Sequence, residues 1–183
     1  MLISMKFDLK TLFRSPWITV KEVKTDKFSY TYVSGDSDDK VFITIMPFRR
    51  VNGKLEFLSR YELRPCWSLD SLKMTCVTGA MQENKTPAET AQAELQEETG
   101  YVCELDEIIP LGQSHVSKSS DSRCEFFTVD LTDKEPGEIH GDGSYLETLS
   151  KNHWTNQSTL IKKSEDCLTS AALLKTLSYL QSK

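Results

Sequence analysis

Three glutamates, Glu94, Glu97 and Glu98, stand at spacings of three and four residues, with no Lys or Arg anywhere between Thr86 and Gly100. On a helix, at about 100° per residue, they share an arc roughly 100° wide. Ala88, Ala91 and Leu95 form the neighbouring apolar stripe. Like-charged neighbours at these spacings repel by a few tenths of a kcal/mol on an exposed helix, so a solvated acidic face is one reading. The other is a seat for hard divalent cations, which prefer oxygen ligands and retain several waters. A cation held there would lower the pKa of a bound water.

The elements that must position these carboxylates are legible around them. Thr86-Pro87-Ala88-Glu89 is a capping box with Pro at the first helical position, and Gly100 suits a left-handed C-terminal cap. The pattern predicts a helix from Pro87 to Thr99. Met74 to Thr78 reads as a short strand running into Gly79. Val41 to Phe48 and Leu55 to Tyr61 read as strands joined by Asn52-Gly53, a strong hairpin signal. Trp17 to Val23 and Phe28 to Val33 alternate like strands, and the polar cluster Gly35 to Asp39 marks a seam. The division expected is a small β-strand subdomain at 1–40, a possible dimerisation element, and a main domain at 41–183. Cys124 to Leu131 reads as a strand, Asp166 to Leu180 as a helix, and Ser114 to Ser122 as a mobile surface loop. Strands interleaved with two helices predict a mixed α/β fold.

The chain has 183 residues, 22 basic against 27 acidic, for a net charge of −5, with 38% apolar residues. That composition is ordinary for a soluble globular protein. A broad basic face for nucleic acid is absent, which argues against an RNA or DNA partner. The most apolar run, near Val41 to Phe48, is far shorter than the roughly 20 residues of a membrane helix. Lys6, Asp8 and Lys10 interrupt the N-terminal stretch, so no signal-peptide centre is expected there, and the protein is read as cytoplasmic with reduced thiols. Cys66, Cys76, Cys103, Cys124 and Cys167 lack the paired spacing of a zinc site, alone or with His115, His140 and His153.

Gly79 to Tyr101 resembles the Nudix box, G-x5-E-x7-R-E-U-x-E-E-x-G-U, where U is a bulky apolar residue. Gly79, Glu94, Leu95, Glu97, Glu98 and Gly100 match, and Tyr101 fits the last position loosely. Lys85 stands where the family has Glu, and Ala93 where it has Arg. The resemblance implies a Nudix-type α/β/α sandwich with a mixed sheet. It also implies hydrolysis of a nucleoside diphosphate linked to another group, with Mg²⁺ or Mn²⁺ as cofactor. Glu94, Glu97 and Glu98 would be the metal ligands and catalytic acids, Glu94 and Glu98 the most direct pair, and the Gly79 backbone would shape the phosphate pocket.

Similarity to the ADP-ribose pyrophosphatase-like branch extends over Pro16 to Glu22, Phe57 to Pro65 and Asp166 to Leu174, and so over nearly the whole chain. In that branch the general base comes from a later loop. Here Gln113 to Arg123 offers His115 and Asp121, with Glu125 just beyond, and for Asp121 and Glu125 a plain surface acid is the competing reading. His115 is also a candidate substrate contact. Trp17 would stack on adenine or else be core. Arg60 and Arg64, four apart in a strand and so on one side, would both hold phosphate or both face solvent. The branch implies a homodimer acting on a small nucleotide diphosphate such as ADP-ribose. Lys85 and Ala93 leave room for an alternative, a non-catalytic nucleotide-binding regulator.

Overall fold

The computed structural model describes residues 6–35, 41–141 and 144–183; the polar cluster at 36–39 lies outside the described residues. The chain forms two compact units, one of Met1–Val41 with Ser114–Cys124, the other of Phe42–Gln113 with Glu125–Lys183.

In the first unit, strands β1 (Asp8–Arg14), β2 (Ile18–Lys24) and β3 (Ser29–Gly35) make an antiparallel sheet in that order. β2 and β3 fall where alternation places them, whereas β1 carries exposed residues throughout and has no buried face to betray it. Trp17 sits in a bend just before β2, where the Ser15 hydroxyl accepts from the N–H groups of Trp17 and Ile18 at 3.2 and 3.1 Å. It is 83% exposed and is not a core residue.

The serine-rich stretch is not a loose loop. Val33 N–H donates to the Ser119 carbonyl at 2.8 Å, Asp121 N–H to the Val33 carbonyl at 3.2 Å, and the Tyr30 hydroxyl to the Lys118 carbonyl. The Asp121 carboxylate accepts from the Ser34 hydroxyl at 3.0 Å. The outer edge of β3 has open backbone groups, and this segment satisfies them.

The second unit is built on β4 (Val41–Val51), β5 (Lys54–Leu63), β6 (Leu72–Thr75), β7 (Val77–Ala80), β8 (Ile109–His115), β9 (Arg123–Asp130) and β10 (Lys151–Thr155). Their order is β10-β5-β4-β9-β8, with β6 on β5 and β7 on β4. Asn52 and Gly53 take φ of 50° and 74°, the left-handed angles a two-residue hairpin needs, and set Val51 opposite Lys54. The β4–β5 pair is antiparallel. Between β4 and β9, the Thr128 hydroxyl donates to Met46 O and Leu131 N–H to Phe48 O, so both strands advance together and the sheet is mixed.

Met74 to Thr78 is two short strands rather than one. Cys76 gives its N–H to the Thr169 hydroxyl at 3.0 Å instead of to a neighbouring strand, so β6 follows β5 and β7 crosses to β4.

Helices α1 (Pro87–Thr99), α2 (Tyr145–Thr148), α3 (Gln157–Lys163) and α4 (Cys167–Gln181) complete the unit. Ala91 and Leu95 of α1 pack on Ile43, Ile45, Val77, Phe127 and Val129. The opposite face is covered by α4, whose Ala172 and Leu173 are buried and whose Lys175 ammonium lies 5.2 Å from the Phe126 ring. A helix on each face explains why β4 is a continuous apolar run, and it makes the layered α/β/α arrangement. Among the described residues, no helix is long and apolar enough to cross a membrane.

Candidate active site

Helix α1 starts as its capping box dictates: Thr86 Oγ1 accepts from Glu89 N–H at 3.3 Å, and Glu89 Oε2 accepts from Thr86 N–H at 2.7 Å. Those bonds from Thr86 hold the Glu89 carboxyl below the usual range. At the other end Gly100 adopts φ 76°. The loop after β9 docks there, with Gly137 N–H on Gly100 O at 2.8 Å and Gly141 N–H on Glu97 O at 3.1 Å. A side chain at Gly100 would meet the Gly137 carbonyl at 2.4 Å.

Beside α1 opens a cleft of about 350 Å³ whose walls include Glu62, Arg64, Gly79, Glu94, Glu98 and Glu147. All belong to the second unit. Gly79 is required by close approach: a Cβ there would lie 2.2 Å from Glu94 Cδ. Glu94 Oε1 accepts from Gln82 Nε2 at 3.2 Å, and Gln82 Oε1 accepts from Lys85 Nζ at 2.5 Å. Lys85 thus reaches Glu94 through an amide rather than directly.

Arg60 and Glu62 are 3% and 6% exposed, and Glu98 is 7% exposed. Arg60 Nε donates to Glu62 Oε1 at 2.8 Å and stands 3.3 Å from Glu98 Oε2. Because that N–H is already committed to Glu62, Glu98 Oε2 is buried with no hydrogen bond. Burial pushes the Glu98 carboxyl up to about 8; the charge of Arg60 opposes this, and those of Glu62, Glu94 and Glu147 add to it. Asn152 of β10 is Arg60's cross-strand neighbour, and both donate to the Glu98 carbonyl, Asn152 Nδ2 at 2.9 Å. Arg64, at the same side of β5, pairs with Glu62 Oε2 at 2.5 Å and donates to Thr78 Oγ1 at 3.3 Å. The two arginines therefore share a side but not an environment: Arg60 is locked in the interior, while Arg64 is half-exposed at the mouth.

The structure brings together Arg60, Arg64, Gly79, Glu94 and Glu98 of the expected set. Glu97 lies half-buried one position away, and its side chain is not in the cleft wall. Glu125 is half-buried in β9. Trp17, His115 and Asp121 belong to the first unit, His115 exposed at the end of β8 and Asp121 bonded to Ser34. Glu62, Gln82, Glu147 and Asn152 escaped the sequence reading. Glu62 had a signal, since strand alternation places it between Arg60 and Arg64 on one side.

No protein-family model and no curated protein matches the chain. Solved structures do. An ADP compounds hydrolase superposes over 100% of this chain and 97% of its own, with a TM-score of 0.74 at 16% identity. A Listeria monocytogenes protein described as a NUDIX hydrolase matches 78% of this chain and 94% of its own (TM-score 0.57, 17% identity). A C. elegans Ap4A hydrolase matches 78% and 98% (0.58, 15%).

The chain has the Nudix fold. Within the Nudix fold the box helix is α1 and the box glycine is Gly79, and Glu94 and Glu98 stand one turn apart toward the cleft. Of the two departures from the box, Lys85 is tied to Gln82 and Ala93 carries no charge; Arg60 of β5 is the cation beside Glu98.

Proposed function

We propose that this chain is a Mg²⁺-dependent pyrophosphohydrolase of nucleoside diphosphates linked to another group, ADP-ribose and similar dinucleotides foremost. The observation that carries this reading is the buried, hydrogen-bond-free Glu98 Oε2 in a cleft whose walls hold four carboxylates against one arginine. Such a set fits a hard cation, because Mg²⁺ is commonly bound by one or two carboxylates together with waters and substrate phosphates. Among the described residues no group of three or more His, Cys, Asp or Glu side chains stands in metal-holding geometry. The fold's full-length structural neighbour, an ADP compounds hydrolase, supports the choice of substrate class.

Glu94 and Glu98 would hold the ion, with Mn²⁺ able to replace Mg²⁺ and Glu97 serving beside them. When bound, the ion lowers the pKa of a water and neutralises charge developing on the leaving phosphate. Arg64, at the mouth, offers guanidinium donors to a phosphate. Within the second unit, Glu147 in the cleft wall and Glu125 of β9 are the candidates to take the proton of the attacking water. Trp17, which the family resemblance would have stack on adenine, is exposed in the first unit. Exposed apolar side chains of the first unit, among them Leu9, Phe13 and Trp17, support a homodimer through that sheet. The exposed thiols of Cys66 and Cys167 fit a reducing, cytoplasmic setting.

Purified protein with Mg²⁺ is expected to release AMP from ADP-ribose or a related dinucleotide; no release from any nucleoside diphosphate compound would sink the reading. Tight nucleotide binding without turnover would instead favour the regulator, the reading that Lys85 and Ala93 motivate. Two further results are expected. Mg²⁺ should raise Tm more at pH 8.5 than at pH 6.5, since Glu98 must lose its proton to ligate; an equal rise at both pH values would remove Glu98 from the ligand set. Gly79→Ala should displace the flexible Glu94 side chain and weaken Mg²⁺ binding roughly tenfold or more, with only a small drop in Tm. Unchanged Mg²⁺ affinity by calorimetry would contradict it.

A further inference from the structure

A second pocket, of about 440 Å³, adjoins the acidic cleft and shares Arg64, Thr78 and Gly79 with it. We propose that this pocket holds the planar base of the nucleotide, stacked on Trp67, with the buried Thr75 hydroxyl reading a polar atom of the ring edge. The proposal rests on the pyrophosphohydrolase reading, because the diphosphate in the cleft delivers the base to the pocket.

Its walls are chemically suited to a flat heterocycle. Phe42, Trp67 and Leu168 supply the apolar surface. Trp67 is 45% exposed, and its backbone is held by a turn in which Trp67 N–H and Ser68 N–H both donate to the Arg64 carbonyl, at 2.8 and 3.0 Å. The Ser68 hydroxyl in turn bonds Asp70 and Ser71. The turn therefore fixes the backbone that carries the indole, which lowers the cost of ordering this segment on binding.

Thr75 is 2% exposed, and its hydroxyl has no hydrogen-bond partner. Unsatisfied buried hydroxyls are few in native proteins, and this one lines a cavity with room for a partner. Asp166, the other polar group at that wall, is fully engaged at the start of α4, accepting from Leu168 N–H, Thr169 N–H and the Thr169 hydroxyl at 3.1, 3.0 and 2.6 Å.

The test compares wild type, Trp67→Ala, Trp67→Phe and Thr75→Val in two measurements: steady-state hydrolysis of ADP-ribose with Mg²⁺, and quenching of intrinsic tryptophan fluorescence by AMP. Stacking of a base on an aromatic ring supports a KM rise of roughly ten- to a hundredfold for Trp67→Ala, with kcat within about threefold of wild type and Phe restoring most of the loss. Thr75→Val should shift the KM ratio of adenine to guanine substrates about threefold or more. AMP should quench wild type, ribose 5-phosphate should not, and the quench should vanish in Trp67→Phe.

An unchanged KM in Trp67→Ala, with wild type active, overturns the base site and leaves the hydrolase standing. If wild type hydrolyses nothing, the hydrolase reading falls and the fluorescence decides alone: a quench lost in Trp67→Phe upholds the pocket. A quench that persists there, or none in wild type, overturns it.

Discussion

Glu98→Gln is expected to lower turnover by roughly three orders of magnitude or more, while the metal-free variant is as stable as wild type at pH 5 and more stable at pH 8.5. Both halves come from one placement. The carboxyl is buried, its Oε2 lacks a hydrogen bond, and its pKa stands at about 8 against 4.5 for an ordinary glutamate. A raised folded pKa means the native state keeps a proton that the unfolded chain releases. Stability is therefore fullest below about pH 4.5, drains as pH rises, and levels off above about 8. At about 1.4 kcal/mol per unit, the loss amounts to several kcal/mol in the absence of a cation. Glutamine is neutral and escapes it. Thermal unfolding from pH 5 to 9 with a chelator present, alongside turnover with Mg²⁺, measures both effects. A wild-type stability profile parallel to that of the variant, or turnover within tenfold, would refute the placement of Glu98 as a buried ligand.

Arg60→Met should cost about 3–5 kcal/mol, the range for removing one member of a buried charged cluster. The guanidinium is 96% withdrawn from solvent at its side chain and lies between the Glu62 and Glu98 carboxylates while also donating to the Glu98 carbonyl and Asn152. Without it Glu98 loses the cation beside it, Glu62 keeps only Arg64 at the mouth, and the end of α1 loses a strap to β5. Adding Glu62→Gln to Arg60→Met should recover a large part of the loss, because much of it is the desolvation of an orphaned charge rather than a missing contact. Urea unfolding at pH 7.5 gives the comparison; a loss below about 1 kcal/mol would show that the cluster is not the clamp its geometry describes.

What could be read in the sequence was local. The capping box at Thr86, the Asn52-Gly53 turn and the box spacing each depend on residues a few positions apart, and each sits where its chemistry places it. The missing parts depend on distant partners. Arg60 meets Asn152 across 92 positions, and the strand holding Asn152, Lys-Asn-His-Trp-Thr, is too polar to announce itself. β8 is broken by Pro110 and Gly112, which read as loop signals. The place of Glu147 in the cleft wall follows only from the path of the chain after β9. Spacing of four puts Arg60 in β5 and Arg64 just past its end, yet alternation says nothing of depth, and burial is what separates them.

The pairing of β3 with the serine-rich segment has a bearing on how the protein is made. The β1–β3 sheet leaves the ribosome with the outer edge of β3 open, and the segment that closes it, Ser114–Cys124, is translated about 80 residues later. At synthesis rates of roughly 5–20 residues per second, that interval is on the order of 4–16 s. Throughout it, an unpaired strand flanked by exposed Phe28, Tyr30 and Val33 is available to other nascent chains.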